Sequence, residues 1–390
     1  MNLNKANILI ASGFAAPYGG NFISMLKLLA GKLKNEHHCN IIFVFPRQEA
    51  KQWLQELEEE YTICYTQNPY KDTTEEFIKF INKFNINLIH THFEVYDIPV
   101  SKAISECGKD IKMIWHLHDH LTLDKKNLSF SFLRKLKTHF SYWLQYGYYG
   151  SQAYFIGVSA EVTHLATHYR EHFFSFPKKF SIDDSHKRTY DRASVILNGI
   201  DLSRIKQNCS IFNNPIIRFF SVGGESYSKG IATIFKAAEI LDKKDYKFKV
   251  IITKGYTTEK LVSEYFKGNI PSWLRIIHQT NDISSLFSNA DIYISASFCE
   301  TMSMCVAEAS ISGLPVIQSN IPGTYWNSDT PSSYLFKVGD SDELAHRMEE
   351  LINTDKNRLK EQCNISSEIN KERLNINNWC KEIIYIYEKI

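Results

Sequence analysis

The sequence predicts an α/β protein of two Rossmann-like, doubly wound domains, and three observations lead there. Short apolar, β-branched runs alternate with segments of helical periodicity along the chain. Those runs are near-continuously apolar, the pattern of parallel strands covered by helices on both faces. The series ends near residue 200 and begins again with a strand-like run into a glycine pair, with no short repeat or low-complexity tract to suggest a solenoid.

Residues 7–11 read as the first strand. Gly19-Gly20 then opens a helix whose Phe22, Met25, Leu26 and Leu29 keep one face apolar. Residues 41–45, 87–90, 113–117, 155–158 and 195–197 supply the remaining strands of the first half. The second half starts at residues 216–222, runs into Gly223-Gly224, and forms a helix from Gly230 onward. Residues 248–252, 274–277, 291–295 and 315–318 continue it. The polar, turn-rich segment 208–215 reads as a linker. The expected domains are therefore 1–205 and 206–375. Trp379, Ile383, Ile384 and Ile386 mark 376–390 as a C-terminal helix that packs back on the N-terminal domain. Ligands of open α/β sheets bind at the C-terminal strand ends, here in a cleft between the two domains. That fold names no reaction by itself.

At about 150 residues per domain, 390 residues suit this plan. With 45 basic and 43 acidic residues the net charge is +2, which argues against a nucleic-acid binder. No apolar run reaches the ~18 residues of a membrane-spanning helix. The eight cysteines are scattered with no CxxC pair, as in free thiols of a reducing cytoplasm. Lys5 before the apolar residues 8–11 is a formal signal-peptide pattern, but the run is short and leads into a glycine turn, so it reads as a strand.

The segment 295–315 is the most informative. A strand ends at Ser295, Ser303 is a good N-cap for a helix running to Ser312, Gly313 fits the position after it, and Pro315 the stop beyond. The backbone N–H groups of Met302, Ser303 and Met304 would line the helix entry as an anion site. Glu300 precedes this entry and Glu308 lies within the helix. A carboxylate accepts hydrogen bonds from vicinal hydroxyls, so one can hold a ribose and the other a sugar ring. Read alone, the pair is better taken as a loop charge and a solvated helix residue.

Glu300 and Glu308 form an E-x7-E pair followed by Gly313-Leu314-Pro315-Val316. This resembles the donor-binding motif of the family 4 retaining glycosyltransferases, which have the GT-B fold. The resemblance extends over most of the chain in the right order. It takes in Ile8 to Leu29 with Gly19-Gly20, Leu88-Ile-His90-Thr-His92, Trp115-His-Leu-His118-Asp119, Gly157-Val-Ser159, Asn198-Gly199-Ile200-Asp201, Val222-Gly223 to Lys229-Gly230, and Gly339-Asp340.

The resemblance implies transfer of a sugar from a nucleotide-diphosphate donor to an acceptor hydroxyl with retained anomeric configuration. It assigns Glu308 to the nucleotide ribose, Glu300 to the donor sugar, and Lys229 to the diphosphate as a compact cation. His118 is placed near the anomeric centre. Gly19, Gly20, Gly223, Gly224, Thr301, Met302, Ser303 and Met304 belong to the donor-binding set. No protein nucleophile is needed, because the leaving phosphate can take the acceptor proton through an oxocarbenium-like transition state. No cofactor or metal is expected. Asp340-Ser341-Asp342 is formally a DxD, but Asp342 reads better as a helix N-cap. His37-His38 have no third ligand nearby and read as exposed.

One departure matters: the arginine usual five residues before the lysine is Gly224 here, followed by Glu225. Lys254 is a possible replacement or merely an exposed lysine. Thr301 and Ser303 stand where the family has glycines.

For the acceptor, residues 121–180 hold Lys125, Lys126, Arg134, Lys135, Lys137, Arg170, Lys178 and Lys179 against three acidic residues, with eight interleaved aromatics from Phe130 to Tyr149. Such a surface suits anionic lipid headgroups, or else the aromatics pack internally. The resulting expectation is a cytoplasmic enzyme at the inner face of the cell membrane. It would take a UDP-sugar to a lipid-linked or oligosaccharide acceptor in surface polysaccharide synthesis. The alternative is an inactive GT-B subunit supporting a partner transferase, favoured by Gly224. A phosphorylase or nucleotide-sugar epimerase lacks any marker residue.

Overall fold

The computed structural model describes residues 1–121, 132–178, 180, 190–224 and 226–390. The chain divides into two units, Met1–Gly199 with Ile376–Ile390, and Ile200–Asn375.

Among the described residues the first unit is built on a seven-stranded sheet of order β3-β2-β1-β4-β5-β6-β7, parallel throughout. The strands are β1 (Asn7–Ser12), β2 (Asn40–Pro46), β3 (Thr62–Thr66), β4 (Leu88–His92), β5 (Lys112–Leu117), β6 (Tyr154–Gly157) and β7 (Ala193–Val195). Its helices are α1 (Gly20–His37), α2 (Gln52–Glu58), α3 (Thr74–Phe84), α4 (Asp97–Cys107), α5 (Phe132–Tyr142) and α6 (Ala160–Glu171). The β-branched runs alternate between two cores, one on each face of the sheet. Ile8, Ile10, Phe43, Ile114 and Ile156 line one, and Leu9, Ile42, Val44, Trp115 and Phe155 the other.

The second unit repeats the plan with β8 (Ile217–Ser221), β9 (Phe248–Thr253), β10 (Leu274–Ile277), β11 (Ile292–Ser295), β12 (Val316–Ser319) and β13 (Ser333–Phe336). Their order is β10-β9-β8-β11-β12-β13, again parallel. The helices are α7 (Ile231–Lys243), α8 (Tyr256–Phe266), α9 (Ile283–Ser288), α10 (Met304–Ile311), α11 (Pro322–Tyr325), α12 (Ser341–Asn353) and α13 (Lys356–Arg373). The last helix, α14 (Ile376–Lys389), belongs to the first unit. Trp379, Ile383, Ile384 and Tyr387 lie in the same core as Ile8, Ile10 and Ile114.

Three expectations are corrected. Residues 208–215 are not a linker: Asn208 is buried and its amide donates to the carbonyls of Phe287 (2.9 Å) and Ala290 (3.0 Å). Its polar side chain caps the end of α9 instead of facing water. The division accordingly falls at Gly199/Ile200, where the Ile200 N–H already donates to Leu374 O within the second unit. The seventh strand is 193–195, two residues earlier than the apolar run suggests. As an edge strand it leaves Val195 exposed, so hydrophobicity does not mark its end.

Candidate functional site

In the second sheet the strand order reverses between β8 and β11, and the loops that leave those two strands carry the expected donor residues. Such a reversal is where open α/β sheets bind ligands. The first loop folds through a short 3-10 turn, Tyr227–Lys229, started by Ser226, whose hydroxyl accepts from the Ser228 N–H at 3.1 Å. Gly230 closes it at φ 67°, and a Cβ there would stand 1.9 Å from the Ala296 carbonyl oxygen. Glycine is therefore required both for the left-handed backbone and for the close approach of the second loop. The Phe298 N–H donates to Ser228 O at 2.8 Å, tying the two loops together.

That tie sets Lys229 against Glu300, Nζ to Oε1 at 2.7 Å. The Ser297 hydroxyl donates to the same carboxylate oxygen at 2.7 Å. Burial pulls the Lys229 ammonium toward the neutral form, but the attraction and hydrogen bond of Glu300 outweigh it, and its pKa is raised. Lys229 is thus firmly charged and held in place before any ligand arrives. Below this pair the 300–303 turn is clamped by α11: a Cβ on Gly323 would meet Glu300 O at 1.9 Å, and Gly323 O accepts from the Ser303 N–H at 3.0 Å.

The helix α10 then starts at Met304, with Ser303 in the N-cap position but making no side-chain cap bond. Glu308 lies in the second turn, 6% exposed. Burial lifts its carboxyl to about 7, against the opposing pull of the Arg204 guanidinium. Among the described residues no side chain donates a hydrogen bond to this carboxylate. Cys305, three residues before it in the same helix, is held inert, because burial pushes its thiol up to about 12.

The structure brings together Lys229, Glu300, Thr301, Met302, Met304 and Glu308 on these two loops and the helix entry. It changes the expected roles of three others. The Ser303 N–H is taken by Gly323 O, so it is no anion donor. The Gly223 and Gly224 N–H groups donate to the hydroxyls of Thr253 (2.9 Å) and Thr258 (3.0 Å). Those glycines pack the β8 loop on α8, since a Cβ on Gly223 would lie 2.4 Å from Thr253 O. Lys254 pairs with Glu259 in the open (3.1 Å) and does not replace the missing arginine. Glu225 lies outside the described residues. Sequence reasoning missed Ser297 and Arg204, a serine and an arginine with no spacing signal of their own. Asp340 is the helix N-cap of α12, accepting from the N–H groups of Asp342 and Glu343, so Asp342 is the first-turn residue and not the cap.

In the first unit, Gly19 and Gly20 stand at the start of α1. A Cβ on Gly19 would lie 2.9 Å from Trp53 Cβ, and Gly20 has φ 57° with open space around it. His118 follows β5 and faces His92, Nε2 to Nδ1 at 3.0 Å, with its ring against Phe22 and Phe93. Burial pulls its imidazole down to about 3, so it is neutral at physiological pH. His90, His92 and His116 complete a stack on one face of β4 and β5. Phe93 holds φ 63°, a left-handed conformation rare for an aromatic residue, where the chain turns out of β4. His37 is half-buried and His38 exposed.

Chains of known structure share this architecture over nearly their whole length. A glycosyltransferase from Rickettsia africae matches with TM-score 0.73 at 15% identity, covering 99% of this chain and 98% of that one. The Anabaena protein HepE, solved with UDP and glucose, matches with TM-score 0.73 at 14% identity over 98% and 99%. Sucrose-phosphate synthase from Thermosynechococcus elongatus gives TM-score 0.73 at 14% identity over 98% of both chains. The chain therefore has the GT-B fold. Residues 206–368 match the family model described as glycosyl transferases group 1. That match falls within the second unit. No curated protein matches the sequence.

Proposed function

We propose that the protein transfers a sugar from a UDP-sugar, with retention, to a hydroxyl of a lipid-linked or oligosaccharide acceptor in synthesis of a surface polysaccharide such as a capsule or exopolysaccharide. The observation that carries the donor half of this reading is the Lys229–Glu300 pair at the strand-order reversal of the matched domain, with the buried Glu308 carboxylate in the second turn of α10 and, among the described residues, without a side-chain donor. HepE has been solved with UDP-glucose and with UDP, and an apo lipopolysaccharide outer core galactosyltransferase shares the fold at TM-score 0.66.

In this reading Glu308 accepts hydrogen bonds from the ribose hydroxyls, with Arg204 keeping part of its charge in play. Glu300 accepts from a hydroxyl of the donor sugar. Lys229 moves its attraction from Glu300 to the diphosphate as negative charge gathers on the leaving oxygen, so it stabilises the transition state more than the ground state. Thr301 and the N–H groups of Met302 and Met304 flank the phosphate at the start of α10. The departing phosphate accepts the acceptor proton, and no metal or cofactor is assigned to the step. His118, a neutral imidazole able to donate or accept a hydrogen bond, is assigned to the reacting sugar on the family resemblance alone.

For a membrane-borne acceptor the relevant element is α5, which exposes Phe132, Leu133, Leu136 and Phe140 beside Arg134, Lys135 and Lys137. Phe174 is also exposed, whereas Tyr146 is buried in the core, so the aromatic set is split between surface and interior. Lys125, Lys126 and Phe130 lie outside the described residues, as does Lys179. No helix among the described residues is long and apolar enough to cross a membrane. Sedimentation with phosphatidylglycerol vesicles should carry wild type down and leave a Leu133→Ser/Phe140→Ser variant in solution.

A second reading, an inactive subunit that supports a partner transferase, is favoured by Gly224 in the arginine position and by Lys254 being engaged with Glu259. Calorimetry against UDP-, GDP-, ADP- and dTDP-sugars, followed by assay of released nucleotide, separates the two. The enzyme reading expects one nucleotide class to bind, Glu308→Ala to abolish that binding, and nucleotide to be released on turnover. Binding that survives Glu308→Ala removes that residue from the ribose role. Binding without release over hours supports the inactive subunit.

A further inference from the structure

Three of the four stacked histidines have no part in the chemistry above. We propose that His90, His92 and His116 form a site for one divalent transition-metal cation of zinc type, held by three neutral imidazoles with a fourth position open. The site lies wholly in the first unit and is independent of the donor assignment. It departs from the expectation of no metal.

The placement follows from strand geometry. His90 and His92 are two residues apart on β4, so both point to one face, and His92 is in register with His116 on β5. One ring nitrogen of each lies within 4.8 Å of the others, and all three side chains are buried. With metal–nitrogen bonds of 2.0–2.1 Å, ligand atoms on a tetrahedral edge stand about 3.3 Å apart. His90 Nε2 and His116 Nδ1 are already 3.2 Å apart. The His92 nitrogen, within 4.8 Å of the other two, moves inward to complete the set.

Two further observations point to a ligand. The Nε2 atom of His92 is buried with no hydrogen-bond partner among the described residues. Buried unpaired polar atoms are uncommon, and an ion is one of the few things that explains them. His90 Nδ1 is held at 2.6 Å by the Tyr387 hydroxyl from α14. That is the outer-shell contact which orients a metal-binding imidazole and leaves its other nitrogen directed at the cation.

The donor set selects the cation. The buried carboxylate of Asp97 is bonded to Thr91, whose side chain points to the opposite face of β4. The three imidazoles supply no oxygen, which disfavours magnesium and calcium and suits zinc, cobalt, nickel or copper. On binding, the cation replaces the proton shared between His90 and His116, which relocates to the far nitrogen of its own ring, so no proton need leave. His118, half-buried just after β5, is the stack's member nearest solvent.

The test uses the full chain, purified without a histidine tag and stripped with a chelator. It is titrated with Zn2+ by calorimetry and with Co2+ by visible spectroscopy. The expected result is one equivalent bound, with Co2+ absorption of four-coordinate intensity. His92→Gln and His116→Gln should each weaken binding by at least about 100-fold, and Tyr387→Phe by about 10–100-fold. A His168→Gln/His172→Gln variant, which removes the neighbouring histidines around the end of α6, should bind as wild type does. Absence of binding to wild type overturns the proposal. So does binding that survives in His92→Gln and His116→Gln but disappears in His168→Gln/His172→Gln. If a buried-histidine variant unfolds, Tyr387→Phe decides, and unchanged affinity there overturns the assignment.

Discussion

Replacing Glu308 by glutamine should make the protein more stable above neutral pH while weakening its hold on nucleotide. The carboxyl is displaced by burial from its ordinary value of 4.5 to about 7. The folded state therefore binds a proton that the unfolded state has released between those two values. Stability from this group is fully present below pH 4.5 and falls as pH rises to about 7, after which the loss is constant. A shift of that size corresponds to at most about 3 kcal/mol, and structural relaxation reduces it to about 1–3 kcal/mol. Glutamine keeps the volume and removes the charge. Thermal unfolding at pH 4.5, 6, 7 and 8.5 should show wild type and variant together at the acid end. They should be separated by roughly 2–12 °C in favour of the variant at pH 8.5. UDP affinity in the same variant should drop about 10–100-fold, because hydrogen bonds to a charged acceptor are the stronger kind. Wild-type affinity should itself weaken on acidification below about pH 7, as the carboxylate is lost. Two melting profiles that run parallel across the whole pH range would refute the argument that buried charge at Glu308 is maintained for binding.

Lys229→Ala should lower turnover far more than donor affinity, measured as kcat against Kd for the nucleotide-sugar; an unchanged kcat removes the leaving-group role. Gly230→Ala, with φ 67° and a Cβ driven onto Ala296 O, should destabilise the second unit by about 2–4 kcal/mol in a urea titration, and a loss under 0.5 kcal/mol would show that the two loops are not closely joined. Trp379→Ala should cost about 3–5 kcal/mol in the first unit alone. Calorimetry should then show that unit melting earlier while the second keeps its midpoint.

How much of this was readable in advance depends on what each residue faces. Strands buried on both sides, such as β1, β4, β9 and β11, stand out as uninterrupted apolar runs. The edge strand β3, Thr62–Thr66, has only one buried residue, Thr66, and β13, Ser333–Phe336, only Phe336. Neither had enough apolar signal to be placed as a strand. Glu300 and Glu308 were legible from their spacing and from the cap and stop signals around them. Ser297 and Arg204 were not, because each matters only through a partner three to about a hundred positions away. The capture of the Ser303 N–H by Gly323 was invisible for the same reason. His90 and His92 on β4, and His116 on β5 with His118 just after it, were evident as alternate residues, but their register across the two strands is a property of the sheet.

The return of α14 to the first unit has a consequence for synthesis. The ribosome makes the entire second unit before it makes the segment that covers Ile8, Ile10 and Ile114. At about 5–20 residues per second this leaves that half-covered sheet waiting for roughly ten to thirty seconds. The later-made unit can thus mature before the earlier one, which inverts the usual N-to-C sequence of nascent-chain folding and makes the emerging polypeptide a natural client for chaperones that shield apolar surface.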